Sequence, residues 1–183
     1  MAARAIPAPL ALLPNALTLF RFALIPVYVA LVWGADGEGS YTAAAVFALA
    51  GATDQVDGWL ARRWRVESQF GKLADPLADR LMIDAAVILL CLDGRLPWIA
   101  LAIILVRDGA LILGYPLVRG RGYEFEVNFA GKLATWVLYA ALVGVTASDE
   151  GTTWPLVLFW AGLGLAVAAA AFYLAKAYRE VRR

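Results

Sequence analysis

Four carboxylates stand at helical spacing in one segment, Asp54-x2-Asp57-Gly58-x2-Ala61-Arg62-x8-Gly71-x3-Asp75-x3-Asp79. At about 100° per residue, Asp54, Asp57, Gly58 and Ala61 share one face of a helix. Gly71, Asp75 and Asp79 share a face of a second helix, at i and i+4 steps. Two helix ends then offer two carboxylates each to a common space. Acids held that close repel one another unless cations are present. All-oxygen donors suit Mg²⁺ or Mn²⁺, with substrate phosphates completing the shell. Two such ions bridged by carboxylates would clamp a transferring phosphoryl group. The plainer alternative is a row of solvated surface acids, and the apolar stretches beyond the motif argue against it. An EF-hand loop is excluded, because its ligands alternate every second residue.

The residues between the acids extend this reading. Gly58 and Ala61 are small and lie on the acids' face, so a flat nucleotide or diphosphate could rest there; small-residue helix packing is the alternative. Arg62 could hold phosphate charge by bidentate contact, or simply anchor the helix end. Ser68 and Gly71 belong to the connection between the helices, where backbone N–H groups can approach a phosphate or ribose.

These elements must sit in an apolar medium. The 183 residues are 62% hydrophobic, with mean hydropathy +0.70, against about half apolar for a soluble domain. Apolar runs near 15–33, 41–61, 76–92, 97–118, 129–147 and 154–176 approach or exceed the roughly 20 residues that cross a bilayer core. The sequence predicts an all-α membrane bundle of six spans, one domain over 1–183, with a short interfacial helix over residues 8–13. Pro76 is read as a first-turn residue, which starts the third helix near Lys72–Asp75. Gly162 and Gly164 are read as close-packing positions in the last span.

Charge alternates along the connections. Arg62, Arg63, Arg65, Lys72 and Arg80 follow the second run, Arg119, Arg121 and Lys132 surround the fourth connection, and Lys176, Arg179, Arg182 and Arg183 end the chain. The first and fifth connections carry Asp36, Glu38, Asp149 and Glu150, and the third carries Asp93 and Arg95. The positive-inside rule then places both termini and the aspartate segment on the cytoplasmic side of the cell membrane. Trp33, Trp98 and Trp154 fall at the opposite ends, as an aromatic belt would. Histidine is absent, which removes His-based zinc sites, His bases and Ser-His-Asp triads. Acid–base chemistry must then use Asp, Glu, Lys, Tyr or Cys. The single Cys91 permits no intrachain disulfide and reads as a small core or lipid-facing residue. Nothing in the charge pattern points to nucleic acid.

At the aspartate segment the chain resembles the CDP-alcohol phosphatidyltransferase family, whose signature D-x2-D-G-x2-A-R-x8-G-x3-D-x3-D it matches at every fixed position. The segment Leu13-Pro14-Asn15-Ala16-Leu17-Thr18-Leu19-Phe20-Arg21 is similar to the N-terminal part of the phosphatidylglycerophosphate and cardiolipin synthase branch. Val106-Arg107-Asp108 and the stretch from Val127 to Thr135 resemble further segments of that branch, although Asp108 stands where glutamate is often found. The resemblance implies six spans, a homodimer, and transfer of a phosphatidyl group from CDP-diacylglycerol to an alcohol with release of CMP. It implies Asp54, Asp57 and Asp75 as metal ligands, and Asp79 as general base that also touches a metal. It assigns Gly58, Ala61, Arg62, Ser68 and Gly71 to the CDP part, with Asn15 and Thr18 as further nucleotide contacts. Arg107 and Lys132 become the candidates for the acceptor. Arg107 lies mid-span, where an unpaired charge is costly, so it faces either a substrate or a structural partner such as Asp108. An anionic glycerol-class acceptor fits such cations, with inositol phosphate as the alternative. Two readings from other classes are a small ion-coupled transporter and a membrane prenyltransferase. The first calls for midplane acids and internal repeats, and the second for a different acid spacing.

Overall fold

In the computed structural model the backbone is described for residues 13–36, 38–64, 69–119 and 129–181, and side chains for 16–36, 38–53, 56, 80–111 and 131–175. The described residues form six helices and no strand: α1 (Leu13–Trp33), α2 (Tyr41–Trp64), α3 (Gln69–Leu92), α4 (Trp98–Arg119), α5 (Phe129–Ala147) and α6 (Thr153–Val181). The expected interfacial helix over 8–13 lies outside the described residues, apart from Leu13, which opens α1.

Local chemistry sets the ends. Pro14 sits in the first turn of α1, where its missing N–H costs nothing. Ser40 caps α2, its Oγ accepting from the Ala43 N–H at 3.2 Å. Gly94, at φ 74°, turns the chain out of α3, and the N–H groups of Arg95 and Leu96 both return to the Leu90 carbonyl at 2.8 and 2.9 Å. That left-handed turn satisfies a helix-end carbonyl at a position favouring glycine. One expectation is corrected here. α3 begins at Gln69, so Pro76 lies in its second turn and not its first. A proline there removes one backbone bond near the polar helix start, where a freed carbonyl can still reach water.

Two helices are long and apolar enough to cross a membrane among the described residues, over Ala16–Trp33 and Thr153–Ala175. Shorter apolar stretches among the described residues are Tyr41–Thr53 in α2 and Gly131–Ala147 in α5.

α5 packs along α6, α1 lies against both α2 and α3, and α2 meets α5. Tyr28, Phe47 and Tyr139 form an aromatic run across α1, α2 and α5, with centroids 5.3 and 5.2 Å apart. The Tyr28 hydroxyl lies 3.0 Å from Thr146 Oγ1, so its polar tip is matched inside the core. Gly162 lets α6 approach α5: a Cβ there would stand 2.9 Å from Val137 Cγ1 and 3.1 Å from the Leu138 nitrogen. Gly164 faces open space, so only one of the two glycines packs as expected. Cys91 is buried, its thiol pointing to the Pro97 carbonyl at 3.7 Å.

One end of the bundle is closed by Arg95. Its Nη1 donates to Glu38 O at 3.4 Å, and its Nη2 to the carbonyls of Val145 and Ser148. A single guanidinium thus joins the α1–α2, α3–α4 and α5–α6 connections. The Ser40 N–H adds a bond to Thr146 O at 2.8 Å. Trp33, Trp98 and Trp154 are exposed and belong to helix ends on this side. Arg95 is the one base among acidic connections, and its burial explains the exception: it caps carbonyls and gives no topological signal. The aspartate segment occupies the opposite ends of α2 and α3.

Candidate active site at the ends of α2 and α3

Asp54, Asp57, Gly58, Ala61 and Arg62 all fall within α2, and Gly71, Asp75 and Asp79 within α3. Their side chains lie outside the described residues, as does Ser68 altogether. Trp64 and Gln69 are joined by four residues, a link that reaches at most about 18 Å. The two acid-bearing helix ends are therefore neighbours. Their donor set is four carboxylates with no histidine anywhere in the chain, which fits a hard divalent cation. The described side chains, which exclude these aspartates, contain no group of three or more metal-ligating residues.

α1 supports this end. Thr18 and Arg21, one turn apart, are both fully buried. Arg21 Nε donates to the Ala50 carbonyl of α2 at 3.3 Å, and Thr53 Oγ1 donates to the same oxygen at 2.8 Å. Ala50 precedes Asp54 by one helical turn. A fixed positive charge thus sits under the turn that leads into the acids. Asn15 lies in the first turn of α1, its side chain outside the described set.

A second feature adjoins the motif. A cavity of about 200 Å³ is lined by Arg80, Ile83, Ile104, Arg107, Asp108 and Thr135, with Leu138 and Leu163 closing its apolar side. Arg107 Nη1 donates to Asp108 Oδ1 at 2.7 Å, and Arg80 Nη1 stands 3.8 Å from Asp108 Oδ2. One buried carboxylate on α4 is shared by guanidinium groups from α3 and α4. In and beside this cluster, Arg80 Nη1, Arg107 Nε and Asp84 Oδ1 are buried without a hydrogen-bond partner. Such atoms call for a missing water, ion or ligand. The donors exceed the acceptors, so an anion suits the space.

Arg107 therefore lines this cavity and is paired with Asp108, the structural partner expected of it. Lys132 is exposed and does not line this cavity. Thr135, three residues on, does line it, its hydroxyl donating to the Gly131 carbonyl at 3.1 Å. Arg80, grouped by the charge pattern with the bases that follow the second apolar run, is the twelfth residue of α3 and faces the cavity. The signal for it was available. Arg80 and Asp84 are charges four residues apart in an apolar helix, and such charges are functional candidates by default.

The sequence profile of the CDP-alcohol phosphatidyltransferase family matches residues 11–172. A Mycobacterium tuberculosis protein named "Probable phosphatidylglycerophosphate synthase" is 34% identical over 180 residues, covering 95% of this chain and 85% of its own. A "Cardiolipin synthase (CMP-forming)" of Streptomyces coelicolor is 37% identical over 147 residues, covering 78% and 67%. A Bacillus subtilis "CDP-diacylglycerol--glycerol-3-phosphate 3-phosphatidyltransferase" is 36% identical over 148 residues, covering 74% and 75%. The matched region spans α1 to α6 and contains the whole aspartate segment, both arginines of the cavity and Asp108. With its motif complete on two adjacent helix ends, the chain belongs to the CDP-alcohol phosphatidyltransferase family.

Proposed function

We propose that this protein transfers a phosphatidyl group from CDP-diacylglycerol to a glycerol-class alcohol and releases CMP, in phospholipid synthesis. The observation that carries the reading is the complete aspartate motif at the adjoining ends of α2 and α3. The acceptor hydroxyl attacks the diacylglycerol-bearing phosphorus, the bond from that phosphorus to the CMP oxygen breaks, and the hydroxyl proton passes to Asp79. With no histidine in the chain, a carboxylate base is the natural proton acceptor. Asp54, Asp57, Asp75 and Asp79 would hold two Mg²⁺ or Mn²⁺ ions, which neutralise charge on the transferring and leaving groups when bound. Gly58 and Ala61 give the nucleotide a flat helix face, Arg62 faces the diphosphate, and Ser68, Gly71, Asn15 and Thr18 complete the CDP subsite.

Arg107 and Arg80 hold the acceptor's anionic group in the cavity between α3, α4 and α5, which favours glycerol 3-phosphate or phosphatidylglycerol over a neutral alcohol. Lys132 guides the acceptor from the surface. The whole chain, 1–183, acts as one domain of six spans in the cell membrane, both termini and the site on the cytoplasmic side. The exposed tryptophans at the Arg95 end and the bases at the other support that orientation. A homodimer is the expected assembly.

The test is CMP release from CDP-diacylglycerol with Mg²⁺ or Mn²⁺, against glycerol 3-phosphate, phosphatidylglycerol and inositol phosphate. Metal-dependent release with a glycerol-class acceptor is expected, and chelation should abolish it. Release with inositol phosphate alone would transfer the reading to that acceptor. No release with any acceptor would sink the transferase reading and leave an ion-coupled transporter to be tested by flux.

A further inference from the structure

The cavity's arginines would meet an incoming anion with a carboxylate already beside them. Arg107 Nη1 is 2.7 Å from Asp108 Oδ1, and Arg80 Nη1 is 3.8 Å from Asp108 Oδ2. The Asp108 side chain is only 13% exposed, so the carboxylate is fixed inside the cluster. Without it, two guanidinium groups from facing helices would repel across an apolar cavity closed by Ile83, Ile104, Leu138 and Leu163. With it, the charged groups lining the cavity are two guanidinium groups and one carboxylate. Asp84, one turn along α3 from Arg80, adds a second carboxylate whose Oδ1 is buried and unpartnered.

We infer that Asp108 is a specificity-determining residue: it is the cavity's resident counter-ion, and its charge sets how much negative charge the acceptor can bring. This rests on the reading that the cavity takes the acceptor's anionic group. An acceptor phosphate competes with Asp108 for the same guanidinium donors, and it binds against the repulsion of a carboxylate that cannot leave. A phosphodiester carries one negative charge and a phosphomonoester carries nearly two above its second pKa, about 6. Each unit of cavity charge therefore acts about twice as strongly on a monoester as on a diester. Asp108 limits the grip on both and narrows the monoester's advantage.

The experiment compares acceptor KM, at pH 8 and saturating CDP-diacylglycerol and Mn²⁺, for four full-length proteins. They are the wild type, Asp108→Asn, Arg80→Gln and the double variant Arg80→Gln/Asp108→Asn. Glycerol 3-phosphate and a short-chain phosphatidylglycerol are the probes, and whichever is turned over is used. A unit charge at contact distance in a half-open site is worth about tenfold in binding. Asp108→Asn is expected to lower acceptor KM, by about tenfold for the diester and up to about a hundredfold for the monoester, Arg80→Gln to raise it by as much, and the double variant to return near wild type. The KM for CDP-diacylglycerol should stay within about twofold throughout.

A merely structural Asp108 would raise KM or lower kcat in the single variant and worsen the double. Either result overturns the inference. If Asp108→Asn does not fold because its arginines are left unpaired, the charge-balanced double variant against Arg80→Gln decides alone, and failure to recover KM overturns the inference. If neither Arg80→Gln nor an Arg107→Gln control changes acceptor KM, the cavity is not the acceptor site. In that case the underlying reading fails and not the role of Asp108 within it.

Discussion

Replacing Arg95 by methionine should loosen the bundle without touching its chemistry. The methionine keeps an apolar side chain of similar reach and removes the donors to Glu38, Val145 and Ser148. Hydrogen bonds from a charged group contribute about 1.5–3 kcal/mol each. They are not additive, and the wild type already bears the cost of burying a charge that is only 9% exposed. A net loss of about 3 kcal/mol is therefore expected. For a chain of this size, about 2–4 °C per kcal/mol gives a fall of about 6–12 °C in Tm. Arg95→Lys should recover only part of it, because one ammonium cannot reach three connections. The assay is thermal unfolding in a fixed detergent, with CMP-release kinetics at a temperature where both proteins are folded. Unchanged KM for both substrates is expected, since Arg95 lies at the end away from the aspartates. A Tm within about 2 °C of wild type would refute the staple, and a raised KM for CDP-diacylglycerol would refute the separation of the two ends.

Gly162→Val should lower Tm by several degrees, because its Cβ would overlap Val137 and the Leu138 backbone, whereas Gly164→Ala should be neutral or slightly stabilising. Asp79→Asn should retain CDP binding by calorimetry and lose turnover by about a hundredfold or more; normal turnover would remove the base assignment. Burial raises the Asp93 carboxyl above its ordinary value, with Arg95 pulling the other way. The folded state thus prefers the neutral acid, and the wild type loses stability as pH rises from the unfolded value, about 3.9, through the folded one. Asp93→Asn should therefore raise Tm at pH 7, and that gain should vanish below about pH 4.

The elements were legible because apolar run length and punctuation are local. Four of the six apolar runs begin and end within a few residues of their helices, while α3 starts well before its run and α6 runs on to Val181; Ser40 and Gly94 mark ends by their own backbone chemistry. α3 begins at Gln69, so Pro76 does not mark its first turn.

The sequence by itself determined the motif and its reach. Eight residue types at helical spacing, on two helices joined by four residues, bring four carboxylates to one end with no tertiary information needed. What only the tertiary structure decided is which distant charges meet. Arg80 and Asp108 lie 28 positions apart and their pairing follows from how α3 packs against α4. Arg21 reaches Ala50, and Arg95 reaches Glu38, Val145 and Ser148, only because α1, α2 and α5 pack side by side. Such partners are chosen by packing geometry, which no local period records. The same holds for Lys132, whose charge suggested the acceptor pocket and whose helix face turns it out to solvent, while Thr135 on the same helix turns in.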